Sequence, residues 1–305
     1  MGASNVDKDI LEERLYKRYS GRKWAPQRGA MWRGGARNVV AHILLIALSI
    51  AFVFPFIWML ATSLKTMANA ASLNLSIIPD PVVWENYIEI FTTATFGRYI
   101  ANTVFLSILA MVGQVFSSSV VAYSLSHIRW WGRRIIFMIV IATMLIPYQV
   151  TMVPVYIIFR NLGMLGSYWP LIIPNFTAGA FYVFLMRQFF MTIPNSLVDA
   201  SKIDGASHFT IYSKIMVPLT KPALTTIAVF SFINCWSDFI GPLIYISDTK
   251  MYTISLGLQS FIGKYSIKWN LIMAASAVTV VPMIVLFFVA QKQFIEGITT
   301  TGIKG

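Results

Sequence analysis

The chain has 305 residues, 57% of them hydrophobic and 12% charged, and a formal net charge of +12. Soluble domains average about 45–50% apolar and about 25% charged, so a soluble globule of this composition would expose aggregating apolar patches, and lipid is the expected solvent. The basic residues stand at the ends of apolar runs, a pattern of membrane orientation rather than phosphate tracking, which argues against nucleic acid as a partner.

The single cysteine, Cys235, excludes an intramolecular disulfide and a Cys-based zinc site. A basic cytoplasmic leader is expected over 1–38. Its stretch LEERLYKRYSGRKWAPQRGAMWRGGAR interleaves basic and aromatic residues. It reads either as a binder of the lipid surface, worth about 1 kcal/mol per basic residue near an anionic leaflet, or as a plain orientation signal. No cleavable signal peptide is expected, because the first apolar run starts near Val39 behind this leader and is too long for a signal-peptide core.

Six stretches are long and apolar enough to cross a membrane, for which a helix needs about 20 residues. They are 39–64, 99–125, 134–160, 167–190, 222–246 and 269–291. Prolines 55, 147, 154, 170, 174, 242 and 282 fall inside them, as kinks that membrane helices tolerate. With a cytoplasmic N-terminus, 18 of the 24 Lys and Arg lie in 1–38, 126–134, 187–221 and the tail. Lys65, Arg98, Arg160, Lys250, Lys264 and Lys268 remain on the other side. Both termini are therefore expected in the cytoplasm, flanking a transmembrane domain over 39–292 and a tail over 293–305. In the loop between the first two spans, Pro81 precedes a short amphipathic helix.

The connection over 194–220 is unusually polar. Pro194-Asn195-Ser196 is a helix start, with Ser196 and Asp199 close to a capping box. A first helix is expected near 197–203, with Leu197, Ala200 and Ile203 on one side. Asp204-Gly205 ends it, because glycine accepts the left-handed conformation of a helix exit. Ser207 caps a second helix, 208–216, with Phe209, Tyr212 and Met216 in one stripe and Val217-Pro218 closing it. Such a bent element either lies on lipid or docks its apolar face into a groove on a cytoplasmic partner.

The stretch reads Asp199-Ala200-Ser201, three residues, Gly205, nine residues, then Ile215-Met216-Val217-Pro218. It resembles the cytoplasmic signature loop of ABC importer permeases, Glu-Ala-Ala, three residues, Gly, nine residues, Ile-x-Leu-Pro. The departures are Asp for Glu, Ser for the second Ala and Val for Leu. Cys235-Trp236-Ser237-Asp238-Phe239 resembles the Trp-Asn-Asp/Glu-Phe segment of carbohydrate-type permeases, with Ser237 in place of Asn. The tail, Gln293-Phe294-Ile295-Glu296-Gly297-Ile298-Thr299 and Gly302-Ile303-Lys304-Gly305, resembles that of the second permease in maltose-type systems.

This resemblance implies an all-α membrane protein with the six-helix type I ABC importer fold and a cytoplasmic coupling helix. Asp199, Ala200, Ser201, Asp204, Gly205, Ile215 and Pro218 would then form the coupling contact with the ATPase. It further implies a second permease subunit, two ATP-binding cassette subunits and a periplasmic or extracellular solute-binding protein. The sequence has no phosphate-binding Gly-Lys-Ser/Thr loop, so ATP and Mg²⁺ would belong to the partner ATPase, with no cofactor on this chain. A sugar is the expected solute, in a prokaryotic inner membrane, with a non-sugar solute as the alternative.

Asp238 is the one acidic residue inside an expected span, where a charge costs about 2.5–3.5 kcal/mol on the mild insertion scale. It faces either a solute pathway, a structural polar cluster or the partner permease. Asn234 precedes it by four and shares its face, whereas Trp236 stands about 200° round the helix. Asn234, Trp236 and Asp238 are the pathway candidates, with Asn102, Gln114, Gln149 and Asn175 behind them. His42 and His127 lie near span ends, and His208 is either an ATPase contact or part of a solvated face. An ion-coupled transporter would carry more intramembrane acids and paired half-helices. An intramembrane enzyme would need a nucleophile–base or metal cluster, and only His42 and Cys235 lie in the spans, far apart in sequence.

Overall fold

A computed structural model describes residues 28–72, 76–92, 95–263 and 267–301, giving only the backbone of 28–37 and 292–301. Most of the leader expected over 1–38, and the last residues of the tail, lie outside the described residues. Among the described residues the regular secondary structure is helical, apart from one isolated antiparallel bridge between Ile262 and Ile267. The chain divides into two compact units, Met1–Ile57 and Trp58–Gly305. The first is described as helix from Arg28 onward, part of α1 (Arg28–Ser63). The remaining helices belong to the second.

Three candidate spans are continuous helix, Asn38–Ser63, Phe96–His127 and Trp269–Gln291, and a fourth, Trp169–Thr192, is interrupted over 177–179. The expected spans over 134–160 and 222–246 are broken or sharply bent, beyond the kinks their prolines led one to expect. The first consists of helices Arg133–Thr143 and Tyr148–Asn161, set at 101° to each other. Its halves, of 11 and 14 residues, are about 16 and 21 Å long, so neither alone crosses a hydrocarbon core of about 30 Å. Pro147 causes the break, because it has no N–H to give and it disfavours helical geometry at Ile146. The second is a 16-residue helix, Lys221–Trp236, bent by 79° from the preceding His208–Leu219. It stops at Trp236, and a separate short helix, Ile240–Tyr245, follows.

The centre of the bundle is α4 (Phe96–His127), a helix of 32 residues, after α2 (Met67–Ala71) and α3 (Glu85–Thr92). Its inner face repeats every three or four residues: Tyr99, Thr103, Leu106, Ala110, Gln114, Ser118, Ala122 and Leu125 are all buried. Small residues on this face allow close neighbours. A Cβ on Gly113 would stand 2.8 Å from the Phe176 ring and 2.9 Å from the Asn175 carbonyl, so only glycine fits there. The opposite face presents Phe105, Ile108, Val112, Phe116 and Val120, all exposed. Two apolar clusters hold the unit. One gathers Tyr123, Val183, Met186, Phe190, Val198, Ile211 and Met216. The other gathers Ile90, Phe96, Tyr99, Trp236, Ile254 and Leu271. The last helix runs from Trp269 to Thr301, so the backbone of the expected tail continues it as far as Thr301.

Candidate functional site

Three interruptions in the helices face one cavity of about 740 Å³. The break before Tyr148 contributes Tyr148, Thr151 and Met152. A second break follows the 3₁₀ turn Ile173–Phe176 and precedes Ala180–Thr192; it contributes Pro174 and Asn175, with Tyr182 just beyond. The third, after Trp236, contributes Asp238, Gly241 and Pro242. Irregular backbone at membrane depth is tolerated where it lines a cavity, and that is its location here.

The polar groups converge. Asn234 Nδ2 donates to the Tyr182 hydroxyl at 2.8 Å. Asp238 Oδ1 accepts the Gly241 amide at 3.1 Å and so holds the start of the short helix. A Cβ on Gly241 would collide with the Asp238 carboxylate and stand 2.9 Å from Leu171, which explains glycine there. Ser231 and Thr253 also line the wall, and their buried hydroxyls have no hydrogen-bond partner among the described residues. Tyr245 completes an aromatic side, its ring stacked on Tyr156 at 6.1 Å. A second groove, of about 760 Å³, is lined mainly by apolar residues such as Phe105, Leu109, Trp169 and Phe176 and has no charged lining residue. Convergent polar groups mark the first cavity as the solute site candidate.

The sequence candidates separate. Asn234 and Asp238 both line the cavity. Trp236 does not; it is 3% exposed and stacks on Phe232 inside the second apolar cluster. Asn175 lines the cavity, Gln114 braces its wall, Asn102 ties down the carbonyls of Lys250 and Tyr252, and Gln149 is exposed. Tyr148, Tyr182 and Tyr245 escaped the sequence reading, since a lone tyrosine in an apolar run carries no signal of its partner. Among the described residues no group of three or more His, Cys, Asp or Glu is gathered to hold a metal ion.

The 194–220 loop forms a bent knuckle. Its first helix is Asn195–Ile203. Pro194, extended and needing no N–H, starts it earlier than expected, so Asp199 is its fifth residue and lies past the first turn, where a helix dipole acts. Gly205 takes φ +77°. The Ala206 amide donates to Ser201 O at 2.9 Å and the Gly205 amide to Lys202 O at 3.0 Å, the two bonds of a Schellman exit. Ser207 Oγ accepts the Thr210 amide at 3.2 Å and caps the next helix, His208–Ile211.

That helix does not run regularly to 216 as expected. It passes through a π turn, Tyr212–Met216, into Val217–Leu219, and the bend falls at Thr220. Pro218, which has no N–H and crowds the carbonyl four residues back, accounts for the wider turn. The expected stripe of Phe209, Tyr212 and Met216 is split by it: Phe209 is 76% exposed, and Met216 is wholly buried. Asp199, Ala200, Asp204, Gly205 and Pro218 are exposed, and Ser201 and Ile215 are half-buried. Leu197 and Ile203 also point outward, so the knuckle presents apolar side chains that its own chain leaves uncovered.

Broken helices around a polar cavity, with an apolar-tipped knuckle on the connection before the fifth span, define a membrane transport permease. The chain belongs to the family of binding-protein-dependent transport system inner membrane components, whose model matches residues 114–299. It is 32% identical over 271 residues to the arabinooligosaccharides transport system permease protein AraQ of Bacillus subtilis, covering 88% of this chain and 96% of that one. It is 30% identical over 270 residues to the sn-glycerol-3-phosphate transport system permease protein UgpE of Yersinia enterocolitica, covering 86% and 95%. Its fold matches a chain of a bacterial ABC transporter involved in the import of the acidic polysaccharide alginate. There the TM-score is 0.74 at 23% identity, over 89% of this chain and 99% of that one. The fold is that of the type I ABC importer permeases, and the chain is a transport subunit of the inner membrane.

Proposed function

We propose that this chain forms half of the pathway for a neutral sugar or oligosaccharide, completed by a second permease subunit. A solute-binding protein delivers the solute from outside. Two ATPase subunits, which hold the ATP and Mg²⁺, dock on the 194–220 knuckle, and this chain holds no cofactor. In this reading both termini face the cytoplasm, which the distribution of Lys and Arg supports. Closure of the ATPase dimer draws the knuckles together, and the helices above tilt to reopen the cavity outward.

The observation that carries the choice of solute is the chemistry of the cavity wall. It offers amides and hydroxyls for sugar hydroxyls, and tyrosine rings for the apolar face of a pyranose. Its lining holds one carboxylate, Asp238, and no Lys, Arg or His, so this half repels an anion. AraQ handles arabinooligosaccharides and is compatible with that wall. The solutes of UgpE and of the alginate importer are acidic, which makes an anionic solute the second reading.

Uptake into proteoliposomes holding the complete importer tests the proposal. Neutral oligosaccharide is expected to enter only with ATP and the loaded binding protein, and to withstand ionophores. Entry without ATP that stops when the ion gradient collapses overturns it. Strong competition by glycerol phosphate, with none by neutral sugars, favours the anionic reading.

A further inference from the structure

The inner end of the Phe96–His127 helix and the second half of the knuckle meet in matched register. Ser119 and Tyr123 stand about one turn apart on the helix, and Tyr212 and His208 are spaced equally on the knuckle, running the opposite way. Ser119 Oγ and Tyr212 Oη lie 2.7 Å apart. Tyr123 Oη and His208 Nδ1 lie 3.2 Å apart. Tyr123 is 4% exposed; its ring lies 5.4 Å from Tyr212, is stacked at 5.8 Å on His127 and stands edge-on to Phe190 at 6.1 Å.

Farther along the same helix, about 14 Å from Tyr123, Gln114 begins a grip on the break in the fourth span. Gln114 Oε1 accepts the Gly179 amide, and Ser117 Oγ accepts the Ala178 amide, each at 3.1 Å. That break leads directly to Asn175 and Tyr182 on the cavity wall.

We propose that the Tyr123–His208 and Ser119–Tyr212 contacts are the joint through which the knuckle turns this helix, and that the helix carries the motion to the cavity through Gln114 and Ser117. The proposal rests on the docking of an ATPase to the knuckle and names the positioning residues of that coupling. An apolar seat alone is non-directional and permits sliding. Two hydrogen-bonded contacts one turn apart fix both register and rotation, so displacement of the knuckle becomes displacement of the rod.

The test uses the complete importer in proteoliposomes and reads solute moved per ATP hydrolysed. The double variant Tyr123→Phe, Tyr212→Phe removes both hydroxyls and keeps both rings. It is expected to assemble and hydrolyse ATP while moving roughly fivefold less solute per ATP. His208→Ala, at an exposed position, is expected to lower the same ratio without loss of assembly, and this holds the test open if the double variant fails to fold. A wild-type ratio in either variant overturns the joint. Phe209→Ala separates the two layers of the argument, because it touches only the docking face. If Phe209→Ala retains normal co-purification of the ATPase and normal uptake, docking itself fails. If Phe209→Ala breaks docking while the joint variants couple normally, only the joint fails.

Discussion

The amide of Asn234 and the hydroxyl of Tyr182 meet at 2.8 Å across the cavity, joining the fifth span to the fourth. The pair brings two half-pathways of sequence, 52 residues apart, to one point on the wall. Tyr182 is buried in the first apolar cluster, but Asn234 stays exposed, so water is able to replace the partner its amide would lose.

Tyr182→Phe is therefore expected to change the melting temperature of the purified complex little, while uptake KM rises roughly three- to tenfold as the amide loses its orientation. A large fall in melting temperature with unchanged KM would mean that the pair is a brace and not part of the solute path. Paired thermal unfolding and uptake kinetics on the same preparation decide between them.

Asp238 has two separable features, a charge and an acceptor for the Gly241 amide. Asp238→Asn keeps an acceptor oxygen and removes the charge. Asp238→Ala removes both and leaves that amide without its partner in a half-buried break, at a cost of about 1–3 kcal/mol. The Ala variant is expected to lower both assembly yield and uptake. The Asn variant is expected to assemble normally and to admit competition by glycerol phosphate that the parent resists. Competition assays against neutral oligosaccharide measure the difference.

Much of this was legible in the sequence, for identifiable reasons. Long apolar runs announce the spans because hydrocarbon demands them, and the Gly205 exit and Ser207 cap follow from local backbone chemistry. The breaks were less legible. Pro147 occurs as one of eight prolines within the span bounds, and only packing decides which of them kink a helix and which divide it. Asn234 and Asp238 came to the same wall through spacing alone, although the helix between them ends at Trp236. Trp236 points into the core, as its different helical angle from Asp238 allows. The tyrosines of the wall were invisible because their partners are distant in sequence.

Gly205 isolates a backbone effect. Nothing lies within 4 Å of a Cβ built on it, so a substitution meets no steric neighbour and only its φ of +77° matters. A left-handed conformation costs an ordinary residue roughly 1–2 kcal/mol, and asparagine tolerates it better than a β-branched residue. Gly205→Val is expected to reset the angle between the two short helices and abolish co-purification of the ATPase, while Gly205→Asn retains most of it. Equal behaviour of the two variants would show that the exit geometry is not what the partner reads.

Ile203 and Ile211 provide the contrast between a face turned outward and a face turned in. Ile203 is 87% exposed, and Ile211 is fully buried beside Tyr123 and Phe190. Ile203→Ser removes nothing that the isolated chain buries, so its own stability is expected to stay within about 0.5 kcal/mol of the parent. If the ATPase docks on the knuckle as proposed, the same change removes an apolar anchor from that face, and ATPase co-purification is expected to fall severalfold. Ile211→Ser leaves a cavity and an unpaired hydroxyl in the cluster, and is expected to destabilise the chain by about 2–5 kcal/mol before any partner is considered. Thermal unfolding of this chain without the ATPase, set beside co-purification with it, separates the two effects. If Ile203→Ser destabilises the isolated chain as much as Ile211→Ser does, the outward side of the knuckle is covered by this chain itself and offers the ATPase no apolar seat.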